Sequence, residues 1–136
     1  RSAEKVVPDS IFQTPDEIAA AFLRGLFDAD GCVVNQVARG TRYVGLGSRS
    51  EELLLGVQEL LASMGIAARI YRTGTKTESF RYTRRDGSSV THGSDGPSFD
   101  LRINGHHIQR FATMIGFDHP SKAPKLADLL SAHSFY

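Results

Sequence analysis

Thr14 to Gly31, TPDEIAAAFLRGLFDADG, is the stretch from which the rest of the chain can be laid out. It reads as a helix that is apolar on nearly every side and ends on two carboxylates. Thr14 is placed to cap it, Pro15 suits the first helical position, and Glu17 stands where its side chain can return to the cap amide. The start therefore predicts a full capping box. From Ile18 to Phe27 the only charged residue is Arg24, a pattern that one amphipathic face cannot explain, so the helix is expected to be covered on two sides. Ala21, Gly25 and Ala29 recur every four residues as a small stripe with Ile18, Phe22 and Leu26 beside it. Small residues let two backbones approach, and the same helix of another copy is expected there, with Ala21, Phe22, Gly25 and Leu26 at the interface. Leu23 and Phe27 remain to dock the helix on its own sheet.

Asp28 and Asp30 stand at the helix end where the macrodipole is negative and cations are favoured. Two things could offset this: local backbone amides donated to the carboxylates as a turn forms, or a divalent cation. The backbone role suits Asp28, and the metal suits Asp30, which points beyond the helix end. A calcium loop of the EF-hand type starting at Asp28 fails, because its third ligand position is Cys32 and its last is Arg39.

Leu23-Arg24-Gly25-Leu26-Phe27-Asp28-Ala29-Asp30-Gly31 resembles the signature of the LAGLIDADG homing endonucleases, matching it at Leu, Gly, Leu, both Asp, Ala and the final Gly. Arg24 and Phe27 depart from it. Lys5-Val6-Val7-Pro8 before the helix and the later segments resemble the endonuclease domains carried inside inteins, so the likeness covers most of the chain.

A length of 136 residues suffices for one domain with one core. No apolar run reaches membrane-spanning length and no charged-then-apolar leader precedes the first helix, so no membrane partner is expected. The lone Cys32 excludes an internal disulfide and fits a reducing, intracellular (cytoplasmic) compartment. An opening at Arg1 suggests a fragment, a processed product or a trimmed chain. Net charge is only +1, weak support for nucleic-acid binding by itself. The distribution says more: Arg69, Arg72, Lys76, Arg81, Arg84 and Arg85 crowd the middle of the chain, which predicts one basic surface.

Residues 1–13 read as a lead-in or linker with a Pro8-Asp9-Ser10 turn, and 14–136 as one domain. A hairpin follows the first helix, with strands over Cys32 to Ala38 and Thr41 to Ser48 and a turn near Arg39-Gly40. Val44 and Leu46 face the core; Tyr43, Gly45 and Gly47 face outward, leaving a low surface that a ligand backbone could approach. Ser50 caps a second helix running to about Met64, stopped by Gly65. Ala67 to Arg72 is a third strand and Ser98 to Ile103 a fourth, with Arg69, Tyr71, Asp100 and Arg102 outward. Helices are expected over His106 to Ile115 and around Pro124 to Ala132. Between the third and fourth strands, residues 73–97 form an extended hairpin insertion turning at Asp86-Gly87, or alternatively a solvated loop.

The order is helix, two strands, helix, two strands, helix, which places helices on one face of an antiparallel sheet and leaves the other open. This is an α+β class, and the resemblance implies the αββαββα endonuclease fold with a four-stranded saddle. With one copy of the motif, the chain resembles a homodimer subunit or one half of a two-motif enzyme. Arg69, Tyr71, Arg72, Arg81, Tyr82, Arg84, Arg85 and Arg102 are the expected contacts to double-stranded DNA over a long target site.

Cutting two strands needs metal-activated water, charge neutralisation at phosphorus and help for the departing oxygen. Two copies of Asp30 at the base of paired helices would hold Mg²⁺ or Mn²⁺, and the resemblance implies that the Ala29 carbonyl joins them. It also implies a lysine near the metals, carried to Lys122 with Lys125 as competitor, and a water-positioning residue after the second strand, for which Arg49 is the nearest match. His106, His107, His119 and His133 lack zinc-site spacing and read as surface or capping residues; His92 lies in the hairpin. No splicing nucleophile opens the chain, so self-splicing is not expected. The commitment is a metal-dependent, site-specific double-strand DNA endonuclease. The alternative is a DNA-binding relative that no longer cuts.

Overall fold

A computed structural model describes residues 2–73, 80–83, 89–92 and 97–132, the segments within 80–92 by their backbone. A short 3₁₀ turn, Asp9–Gln13, leads into helix α1, Asp16–Asp30, and strand β1, Gly31–Gln36, follows it without a loop. Strand β2 is Thr41–Ser48, helix α2 Glu51–Ser63, and β3 Arg69–Thr73. The short strands β4, Phe80–Thr83, and β5, Ser89–His92, come next, then β6, Ser98–Ile103, and helices α3, His107–Met114, and α4, Lys122–Ala132.

Four strands form an antiparallel sheet in the order β1-β2-β6-β3, so the two central strands are β2 and β6. The class and element order match the α+β expectation, with β4 and β5 as an added antiparallel pair running from Phe80 opposite His92 to Thr83 opposite Ser89. Alternation along β2 and β6 sends Val44, Leu46, Phe99, Leu101 and Ile103 to one face, where all are buried. Helices α1 and α2 cover that face. Leu23 and Phe27 of α1 meet Leu54, Val57 and Leu61 of α2 in one core. Burial of each such side chain stabilises by about 1.5–3 kcal/mol relative to exposure.

α2 forms where its residues say it should. The Ser50 hydroxyl accepts the Leu53 amide at 3.1 Å and donates to the Lys5 carbonyl, tying the lead-in to the helix start. Gly65, at φ 79°, supplies the left-handed residue that ends it. The Ile66 amide then reaches the Leu61 carbonyl and the Gly65 amide the Ala62 carbonyl, a Schellman closure. Val7 is buried against α2, and a Cβ on Gly56 would stand 2.7 Å from Val7 Cγ2, so the glycine makes room for the lead-in.

Four local expectations need correction. Thr14 is not the cap of α1: its hydroxyl donates to the Ile11 carbonyl at 2.7 Å, closing the preceding 3₁₀ turn. Pro15 takes the cap position with no side-chain cap bond, its carbonyl accepting from Ile18 and Ala19. β1 stops at Gln36 because Val37–Arg39 coils into a 3₁₀ turn that Gly40 closes at φ 66°. α4 starts at Lys122, two residues before Pro124, which falls within its first turn, where a missing amide costs little. Finally, Gly45 is not bare backbone, since a Cβ there would meet Tyr43 Cε1 at 3.0 Å and Cys32 Sγ at 3.1 Å.

Candidate active site and nucleic-acid interface

The end of α1 is built from both sides. Phe27 is fully buried, its ring packed edge-on to Phe111 at 4.8 Å and to Phe117 at 6.2 Å, which fixes the last turn against α3. Arg24 adds a bond from Nε to the Ile115 carbonyl at 2.7 Å. Gly31 has ordinary extended backbone, but a Cβ on it would lie 2.6 Å from the Phe27 carbonyl oxygen. Only glycine lets a strand leave the helix with no intervening loop.

Two reciprocal contacts then bind this end to the start of α4 and the turn before it. Asp28 Oδ1 accepts the amides of Asp118 at 3.0 Å and His119 at 3.1 Å. Asp28 thus has the backbone role expected of it, but toward amides ninety residues away rather than in its own turn. In return Lys122 Nζ donates to the Asp28 carbonyl at 2.5 Å and stands 3.4 Å from that of Phe27. A cation therefore meets the negative end of the helix dipole. His119 Nδ1 accepts the Ser121 amide at 3.1 Å and shapes the same turn.

Asp30 is the exposed last residue of α1, and its carboxylate has no hydrogen bond or ion pair among the described residues. The Ala29 carbonyl beside it belongs to the last turn, whose acceptors lack helical partners. Carboxylate and carbonyl oxygens suit a hard divalent cation, but Mg²⁺ takes about six oxygens. Among the described residues no three His, Cys, Asp or Glu side chains converge to hold a metal. Gly31 is paired with Leu46, so Ser48 and the exposed Arg49 lie at the same end of the sheet as Asp30.

Beyond this end extends the uncovered face of the sheet. Cys32, Tyr43, Asp100, Arg102, Arg69 and Tyr71 share it by register, Arg69 opposite Arg102 and Tyr71 opposite Asp100. Arg102 Nε donates to Asp100 Oδ2 at 2.7 Å, and this bond is the main reason its guanidinium holds its proton more firmly than usual. Burial, more than the nearby Asp100, pushes the Cys32 thiol up, while a backbone hydrogen bond with Gly45 and, after it, Lys122 partly oppose it. A cavity of about 360 Å³ opens where Arg69, Tyr71 and Arg102 approach Asn104 and His107.

The structure groups some expected residues and separates others. Arg69, Tyr71 and Arg102 come together, but Arg72 pairs with Phe99 and starts from the helix-covered side, because one step along a strand reverses the face. Arg81 and Tyr82 fall on β4; Arg84 and Arg85 lie outside the described residues, as does His133. Lys122 rather than Lys125 reaches the end of α1, and Lys125 is exposed one turn further on. On α1, Ala21, Gly25 and Ala29 are exposed, Phe22 and Leu26 half-buried, and a Cβ on Gly25 would meet nothing within 4 Å. His107 Nδ1 accepts the Ala67 amide at 3.2 Å, so it fastens the loop before β3 rather than capping a helix. Sequence reading passed over Asp100 and Tyr43 as partners of Arg102, although Asp100-Leu101-Arg102 on an alternating strand was the available signal.

The LAGLIDADG-like domain description matches residues 17–116. The chain belongs to the LAGLIDADG family. This LAGLIDADG domain is 37% identical over 133 residues to a DNA polymerase of Thermococcus hydrothermalis, covering 98% of the chain and 7% of that protein. It is 38% identical over 72 residues to a DNA gyrase protein of Mycobacterium gordonae, covering 53% of the chain and 13% of that protein. To the replicative DNA helicase DnaB of Synechocystis it is 44% identical over 71 residues, covering 52% and 8%. The domain thus spans a small share of the relatives it matches, and those relatives carry unlike names. None of the helices among the described residues is long and apolar enough to cross a membrane.

Proposed function

We propose that this LAGLIDADG domain is half of a divalent-metal-dependent endonuclease that cuts both strands of a long DNA site. The small matched share of otherwise unlike relatives supports an intein-borne domain. The reading rests above all on the end of α1, where an exposed Asp30, its carboxylate without a partner among the described residues, lies below an open stripe of Ala21 and Gly25. A second such helix along the stripe, from another copy or from another half-domain, brings two Asp30 carboxylates together. Asp30 and the Ala29 carbonyl would then share Mg²⁺ or Mn²⁺ with their counterparts, and the metal supplies an activated water and charge neutralisation. Lys122 holds the end of the helix and places positive charge near the cleaved phosphates. Arg49 stands at the same end of the sheet, suited to orienting water, and the open face takes the duplex.

The test is cleavage of DNA by the purified domain with Mg²⁺, compared with Asp30→Asn. The variant is expected to bind and not cut; cleavage surviving in it overturns the assignment. Sedimentation equilibrium with and without Gly25→Leu reads the pairing: a dimer lost in the variant supports two copies, and a monomer throughout points to a missing half. A second reading, a DNA-binding relative without cleavage, is favoured by one observation, that the Lys122 ammonium is already engaged by two helix carbonyls.

A further inference from the structure

Arg102 is held unlike an ordinary surface arginine. Its Nε donates to Asp100 Oδ2 at 2.7 Å, and its Cζ lies over the rings of Tyr43 at 4.4 Å and Tyr71 at 4.9 Å. The register explains how these four meet. Asp100 precedes Arg102 by two residues on the same face of β6, and Tyr71 stands opposite Asp100 on β3. On the other side Arg102 faces Gly45, and the Tyr43 ring lies back over that glycine, into space a Cβ would occupy.

A guanidinium carries five N–H donors in a planar fork. Here the Nε donor is spent and tyrosines lie over the plane, so what remains is the outer edge formed by Nη1 and Nη2. We propose that Arg102 is a preset reader of a single guanine, with Asp100, Tyr43 and Tyr71 as its positioning residues. The inference rests on the reading that this face lies on DNA. Guanine presents two acceptors, O6 and N7, toward the major groove, and the two-pronged edge matches them; adenine places a donor at the corresponding position and thymine offers one acceptor. A phosphate contact would not need such restraint, since a flexible arm satisfies it. Arg69, directly opposite on the edge strand β3, suits that task. Fixing the fork beforehand also removes rotamer freedom that binding would otherwise have to remove.

The experiment is selection from a randomised duplex pool with the purified domain, followed by competition binding at each position of the selected site. Three proteins are compared: the natural sequence, Arg102→Lys, which keeps the charge, and Asp100→Asn, which keeps the arginine. The natural sequence is expected to select one invariant G·C pair that both variants relax, with other positions unchanged. Arg102→Lys should lose about 5- to 150-fold of the guanine preference there. Asp100→Asn should relax the same position without changing the salt dependence, an outcome that mere loss of a surface contact would not give. Thermal melts confirm that each variant is folded. The inference is overturned if Arg102→Lys keeps every preference, or if it weakens all sequences alike, as a phosphate contact would. If the natural sequence selects no duplex, the DNA-binding reading fails first, and this inference with it.

Discussion

The two faces of the sheet are written into the same strands and obey different rules. On the covered face, Leu101 and Val44 lie among side chains of α1 and α2, and their identities follow from burial alone. On the open face, Arg102 and Tyr43 alternate with them, yet nothing in the core dictates what they are. The difference teaches where specificity can be stored. One residue from the core, a strand can change its chemistry completely while the hydrophobic side keeps the register.

The largest expected effect tests the covered face. Leu101→Ala should lower stability by about 2–5 kcal/mol, read by urea unfolding, whereas Arg102→Ala, one residue on, should cost no more than about 1 kcal/mol. Equal losses would break the distinction between the faces. Next, Asp28→Ala removes a charged acceptor from two amides and should cost about 1.5 kcal/mol; since one bond is exposed and the other only part-buried, a larger loss would show that the end of α1 belongs energetically with the core. Ser50→Ala should cost about 1 kcal/mol through loss of its cap, and Thr14→Ala less, because Thr14 closes only a 3₁₀ turn. The smallest effect belongs to the open face. With its thiol pushed up by burial, Cys32 carries less thiolate at pH 8 than in the unfolded chain, so iodoacetamide should label it more slowly in the folded protein. Equal rates would mean that the sulfur is not covered.

How much could be read beforehand follows the same division. β2 and β6 were legible to the residue because alternation and flanking turns agree there, and α2 because Ser50 and Gly65 mark both ends. The capping box failed because Thr14 had a nearer acceptor in Ile11, a competition that propensity does not weigh. Asp28 and Lys122 were each assigned a reasonable task, but their mutual contact spans about ninety residues and depends on how α4 approaches β1. Arg72 was grouped with its neighbours by charge when its parity already separated it. The pairing of Asp100 with Arg102 was within reach, since two residues apart on a strand means side by side.

Thr73 and Ser98 are register partners in β3 and β6, so the chain leaves the sheet and returns to it at a single closed rung. Strands β4 and β5 both fall between these two partners in the chain, as an appliance on a socket. The pairing of β3 with β6 runs unbroken from Arg69 to this rung, and the entropy of closing the loop changes only slowly with its length. A two-residue turn is the shortest common closure of such an antiparallel rung, which makes this rung the natural place for lineages, or engineers, to add reach.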